Sequence, residues 1–194
     1  MPAKGDHQAR RADVAEAVWR VLAAHGFGGL TLRAVATELG ASTGLLTHYF
    51  RNKQELVRYA HEIAAERSES RARLTTSIPG LAQLRVALMN VLPLTPEVAA
   101  MSRVWVSFWD AALDDPSLHE AQRQRYAGWR SRLEKTIRDA GDVFAGRDPA
   151  EVAVTCAAFT HGLVVQALFD PVLLPAPRQL ALLDGFLADL TGQR

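Results

Sequence analysis

Apolar positions recur every three or four residues along nearly the whole chain, and nowhere do they alternate singly for long enough to make a strand. This spacing predicts an all-α protein. Val14, Val18, Val21 and Leu22 stripe one face of a first helix over about 8–25, which Gly26 stops. Thr31 caps a short helix over 32–39, with Leu32, Val35, Ala36 and Leu39 on one face. Gly40 ends it, and Ser42 or Thr43 opens another over about 43–50. Asn52, with Glu55 three residues on, signals the start of a long helix reaching about residue 73. Helical spacing resumes after Pro79, over about 80–92, 97–113 and 117–140. The last of these carries Leu118, Tyr126, Trp129, Leu133 and Ile137 on one face. Asp148-Pro149 opens a helix to about residue 169. A final one covers about 178–190, with Leu180, Leu183, Leu187 and Leu190 at a/d spacing.

The chain's 194 residues, 48% apolar and 22% charged, fit a globular protein. The formal net charge is only +1, so partners are suggested by its distribution. Up to residue 53, Lys4, Arg10, Arg11, Arg20, Arg33, Arg51 and Lys53 face only four acids, Asp6, Asp13, Glu16 and Glu38; the remainder is slightly acidic. The basic part is the one suited to anions. The single cysteine, Cys156, forbids an internal disulfide and reads as a small buried hydrophobe. MPAKGDHQARRADVAEA has no apolar signal region. The apolar stretch VAVTCAAFTHGLVVQALF is broken by polar residues and shorter than the roughly 20 a membrane span needs. These features predict a cytoplasmic protein with no membrane partner. The histidines show no metal-type spacing, so no metal and no cofactor are expected.

The segment GASTGLLTHYFRNK, residues 40–53, is short of large apolar groups and rich in small polar ones. Two short helices joined at Gly40 through three or four residues make a helix-turn-helix. Its second helix would enter the major groove of double-stranded DNA amino end first. Ser42, Thr43 and Gly44 permit close approach, and the free N–H groups there favour phosphate. Thr43, Thr47 and His48 are placed nearest the bases. Thr31, Arg33, Tyr49 and Lys53 are placed on phosphates, with Lys53 at the start of the next helix. GASTG also matches the G-x-S-x-G elbow of hydrolases, but that needs a preceding strand, and LRAVATEL has helical spacing. No convergent catalytic set is found, so no enzyme is expected. A helical interaction module or small-molecule binder without DNA activity is the rival reading.

In register, Gly26, Thr31, Val35-Ala36, Gly40, Ser42-x-Gly44, His48-Tyr49-Phe50 and Lys53-x-x-Leu56 resemble the DNA-binding domain of the tetracycline-repressor (TetR) family. His-Tyr-Phe followed by Asn-Lys is most similar to its BetI-like branch. FTHGLVVQALFDP is similar to that branch's penultimate helix, with His161 in place of a common aspartate. The resemblance implies a homodimeric, ligand-responsive repressor on a palindromic operator. It divides the chain into a three-helix DNA-binding domain, 1–55, and a helical effector and dimerisation domain, 56–194, sharing the fourth helix. It also implies a small-molecule pocket, for which Met101, Trp105, Phe108, Trp109, Tyr126, Trp129, His161 and Gln166 are the candidates. Spacing alone would make the aromatic ones core. The last two helices are apolar on more than one face, which independently suggests a four-helix bundle between two copies through Phe159, Leu163, Leu180, Leu183 and Leu187.

Overall fold

The computed structural model describes residues 4–73, 80–144 and 146–192, and the expected restart at Pro79 lies outside them. The described residues are all-α. The helices are α1 (Lys4–His25), α2 (Leu32–Leu39), α3 (Thr43–Thr47), α4 (Lys53–Arg73), α5 (Leu81–Met89), α6 (Pro96–Asp114), α7 (Pro116–Asp139), α8 (Pro149–Phe169) and α9 (Ala176–Thr191). A single 3-10 turn, Gly141–Phe144, precedes α8 and buries Phe144.

The ends of these helices follow from local chemistry. Asp115 accepts bonds from the Ser117 and Leu118 amides and the Ser117 hydroxyl at the start of α7, which holds its carboxyl below the usual range. Asp148 accepts from the Ala150 amide at 3.0 Å, with Pro149 just inside α8. The cap before α4 departs from the simple box. Asn52 Oδ1 accepts from the Glu55 amide at 2.9 Å, while the Glu55 carboxylate accepts at 2.8 Å from the amide of Arg51, one residue before the cap. α3 is three residues shorter than its sequence pattern, because after Thr47 the amides of His48 and Tyr49 bond three residues back, a tighter winding.

Packing gathers the chain into two compact units, Met1–Ser68 with Arg103–Leu118, and Glu69–Ser102 with His119–Arg194. In the first, Val14, Val18, Leu22, Val35, Leu46 and Leu56 bury the inner faces of α1 to α4. The later part of α6 adds Phe108, which lies 4.8 Å from the Phe27 ring and 4.5 Å from the His61 ring, centroid to centroid. The Trp105 indole N–H donates to the Ser68 hydroxyl at 3.0 Å. The Ser107 hydroxyl accepts from the Phe27 amide at 3.1 Å and donates to the Val104 carbonyl. It therefore fastens the turn after α1.

In the second unit, α5, α8 and α9 enclose Leu84, Leu88, Cys156, Leu163, Leu183 and Leu187, with Leu133 and Ile137 of α7 and Phe144. Arg85 forks onto Asp184, at 2.5 and 3.0 Å, joining α5 to α9. Burial pushes the Cys156 thiol up to about 12, so it is inert as a nucleophile at neutral pH. By length and composition alone α8 is apolar enough to cross a membrane, being longer than the interrupted stretch suggested. Eight of its residues, from Val152 to Ala167, are buried in this core.

Candidate nucleic-acid interface and effector site

The turn between α2 and α3 turns on Gly40, whose φ of 67° is the left-handed conformation that glycine adopts without penalty. The Ala41 amide then returns to the Ala36 carbonyl at 2.9 Å. Thr31 Oγ1 caps α2 by accepting from the Ala34 amide at 3.0 Å. Ser42 Oγ caps α3 by accepting from the Leu45 amide at 3.3 Å. These two hydroxyls thus orient the helices, as the sequence spacing predicts for Thr31. Leu46 and Phe50 are buried, and Phe50 packs 5.2 Å from the Tyr59 ring. That anchoring leaves Ser42, Thr43, Gly44, Thr47 and His48 together on the exposed side of the turn and of α3. Thr47 donates its hydroxyl to the Gly44 carbonyl at 2.8 Å, so outward it presents an acceptor and a methyl group.

Arg33 and Lys53 are exposed, and Tyr49 is half-buried. Beside α3 an open groove of about 610 Å³ is lined by His48 and Tyr49 together with Arg10, Arg58 and Tyr59, and by the acids Glu55 and Glu62. The sequence reading gave neither arginine a DNA contact because both lie outside the helix-turn-helix, on the helices that flank it. The visible signal was a basic residue on each flanking helix. Elsewhere in the unit two arginines are paired with acids. Arg20 pairs with Glu38 at 2.5 Å, and Arg67 pairs with Glu16 while lying 4.6 Å over the Trp19 ring.

Matches to family models agree with this geometry. Residues 14–60 match the model described as bacterial regulatory proteins, tetR family. Residues 80–192 match the model for the C-terminal part of BetI-type transcriptional repressors. The chain belongs to the TetR family. TetR-family proteins are DNA-binding regulators and not enzymes. The chain is 29% identical over 177 residues to the HTH-type transcriptional regulator PksA of Bacillus subtilis, covering 89% of this chain and 85% of that one. It is also 29% identical over 197 residues to the regulator BetI of Burkholderia mallei, across the full length of both. Its fold is that of a Saccharomonospora viridis protein solved in complex with choline. The TM-score is 0.85 at 22% identity, over 93% of this chain and 96% of that one.

The expected pocket residues of this TetR-family chain fall in both units. Trp105, Phe108 and Trp109 belong to the first, where Trp105 and Phe108 are buried against His61. Met101, Tyr126, Trp129, His161 and Gln166 belong to the second. There the His161 ring lies 5.1 Å from Tyr126 and 4.8 Å from Trp129, while Gln166 is exposed. Gln122, buried beside them on α7, was missed; the polar groups named from the sequence were His161 and Gln166.

The residues expected between two copies differ in their exposure within one chain. Leu163, Leu183 and Leu187 are buried in the chain's own core. Phe159 and Leu180 are half-buried, with Phe159 stacked flat on Phe186 at 4.0 Å. The apolar groups left outside are Val154, Phe169, Val172, Leu173 and Leu182. Among the described residues no three His, Cys, Asp or Glu side chains are grouped to hold a metal ion.

Proposed function

We propose that this protein is a ligand-responsive repressor of the BetI-like branch, cytoplasmic, that binds a palindromic operator as a homodimer and leaves it when a small molecule binds. Residues 1–55 form the DNA-binding domain, and 56–194 the effector and dimerisation domain. The carrying observation is the exposed polar face of Ser42–His48 on a helix whose apolar residues, Leu46 chief among them, are wholly buried. A solvated helix has no need of so many small side chains at its amino end; a helix entering a groove does. Thr43, Thr47 and His48 read bases, while Arg33, Tyr49 and Lys53 hold phosphates, joined by Arg10 and Arg58. The second copy packs on the outer surface of α8 and the segment leading into α9, around Val154, Phe169, Val172 and Leu182. The choline complex of the Saccharomonospora protein supports a small-molecule site in this fold.

Ligand binding weakens DNA affinity only through a difference in affinity between the two states. About 1.4–4 kcal/mol of coupling gives ten- to thousand-fold release. The test is a gel shift on the promoter of the protein's own gene across a salt series. The logarithm of affinity should fall linearly with that of salt, by about 0.9 per phosphate contact. Lys53→Ala should weaken all duplexes alike and reduce that slope by about 1, whereas Thr43→Val should change the preference among them. A duplex bound without salt dependence, or none bound at low ionic strength, would favour the DNA-inactive module.

A further inference from the structure

The exposed face of α3 lacks the side chains that most often read bases. Residues 42–48, Ser-Thr-Gly-Leu-Leu-Thr-His, include no arginine or lysine to fork onto guanine, no asparagine or glutamine to pair with adenine, and no carboxylate to accept from cytosine. Leu46 is buried and Leu45 half-buried, so the outward groups are Ser42, Thr43, Gly44, Thr47 and His48. Two of these already serve the fold. Ser42 Oγ accepts from the Leu45 amide at 3.3 Å, and the Thr47 hydroxyl donates its only proton to the Gly44 carbonyl at 2.8 Å. With that proton engaged, Thr47 offers a base a lone pair and a methyl group. Guanine presents only the acceptors N7 and O6 in the major groove, which give such a side chain no partner, whereas thymine presents a methyl of its own. His48 lies to the side, lining the groove shared by Arg10, Glu55, Arg58 and Glu62.

Gly44 stands three residues before Thr47, on the same side of the helix. It weakens α3 without serving its packing, because glycine loses more backbone freedom in a helix than alanine does. Gly40 needs to be glycine for its left-handed φ of 67°. Gly44 has no such conformation, and a Cβ added there would meet nothing nearer than the Ser42 hydroxyl oxygen at 3.7 Å. The space left by the missing side chain opens outward. It lets the backbone of α3 approach a surface closely enough for a group as short as a threonine methyl to touch it.

We propose that Thr47 is a specificity residue that reads thymine through its 5-methyl group, and that Gly44 admits the helix to the depth this contact needs. The operator half-site then carries a T·A pair under Thr47, recognised by apolar contact in place of a bidentate hydrogen bond, and guanine is disfavoured there. This rests on the DNA-binding reading above.

The test uses the full-length protein and the duplex that the gel shift defines, with each thymine replaced in turn by uracil. Uracil removes the 5-methyl and leaves every hydrogen-bonding group in place. At one symmetric pair of positions it should weaken wild-type binding by about fourfold per half-site, the effect of exposing one buried methyl-sized group. The penalty should stay constant across a salt series, since no phosphate contact is lost. Thr47→Ser keeps the hydroxyl and removes the methyl, so it should lose the same affinity on the thymine duplex and lose nothing further with uracil. Replacing that T·A pair by C·G should weaken binding, and 5-methylcytosine in place of the cytosine should recover part of the loss. Gly44→Ala should raise the melting temperature while weakening the operator complex; a glycine with a purely structural role would not move the two in opposite directions. Indifference to uracil at every thymine, or a uracil penalty that survives intact in Thr47→Ser, overturns the proposal. So does a Gly44→Ala protein that binds as tightly as the wild type. With the operator still bound, those results remove only the thymine contact and leave the DNA-binding reading standing, whereas a protein that binds no duplex at low ionic strength removes both.

Discussion

In the first unit, Phe27, His61, Trp105 and Phe108 meet edge to face and tilted. Phe108 is wholly buried, and the Trp105 indole is satisfied by Ser68. In the second, Tyr126, Trp129 and His161 also meet as tilted rings, but they remain half-buried beside Gln122 and a guanidinium. Ring contacts are alike in the two clusters. Their polar companions are not. The first is closed packing that joins α6 to the turn after α1, through Ser107 and Phe27. The second is half-open, with Gln122 beside the Tyr126 phenol and a guanidinium acting on its rings. Aromatic residues at helical spacing report burial in both places, and only the bonding of the atoms beside them separates packing from recognition.

The severest way to break this comparison is Phe108→Ala. A fully enclosed ring with contacts on α4 and on the turn after α1 should cost about 3–5 kcal/mol when removed. Thermal melts should show the loss, and operator binding should fail at temperatures where the wild type still holds. Trp129→Ala, half-exposed at the other cluster, should cost clearly less. Equal losses would mean that the second cluster is packing of the same kind.

Much of this fold was legible because helix ends are written locally. Thr31, Gly40, Ser42 and Asp148 mark boundaries that the structure keeps, and α2 has the limits its pattern predicts. α3 ended early because the tighter winding after Thr47 is decided by how Phe50 seats against Tyr59, a tertiary matter. The a/d pattern of α9 correctly foretold burial of Leu183, Leu187 and Leu190, but periodicity does not say whose core buries them. The same gap affected the aromatic set. Trp105 and Trp129 look equivalent in a helical wheel, and only packing assigns one to the head. The exposed face of α3 was the most legible element of the candidate site, since small polar residues there have few other uses.

The second cluster should also show itself by titration. His161 sits well below the free histidine value of 6.5, at about 4, from burial first and Arg125 second. As pH falls below 6.5 the unfolded chain takes up a proton that the folded one refuses, so stability is lost from there down to about pH 4. The loss is on the order of 2–3 kcal/mol, and above pH 6.5 this group contributes no further change. His161→Phe should flatten that part of the melting-temperature profile. A profile unchanged by the substitution would mean that the imidazole is better hydrated than its ring contacts indicate.

The first cluster has a backbone counterpart in Gly26, whose φ is +63° and where an added Cβ would lie 2.8 Å from the Ser107 hydroxyl oxygen. Gly26→Ala therefore combines left-handed strain with displacement of the serine that holds Phe27, for a loss of about 2 kcal/mol. Gly40→Ala has the same sign of φ but open space around it, and strain alone should cost about 1 kcal/mol. If the two melt alike, Ser107 yields without consequence and the link between α6 and the head is loose.

The smallest effect falls on Thr31, whose sequence context suggests a phosphate ligand and whose hydroxyl in the structure serves the Ala34 amide. Loss of that cap in Thr31→Ala should cost about 1 kcal/mol, read as a lower melting temperature of the head. Thr31→Ser keeps an oxygen at the cap and should restore most of it. The hydroxyl caps by accepting and keeps its own proton, so capping does not forbid donation to a phosphate. The pair of variants separates the roles. Where capping is the whole of its work, operator affinity should follow stability, and Thr31→Ala should bind normally well below its melting temperature. A deficit that persists at low temperature and shrinks the salt slope by about 1 would place Thr31 on the DNA backbone as well.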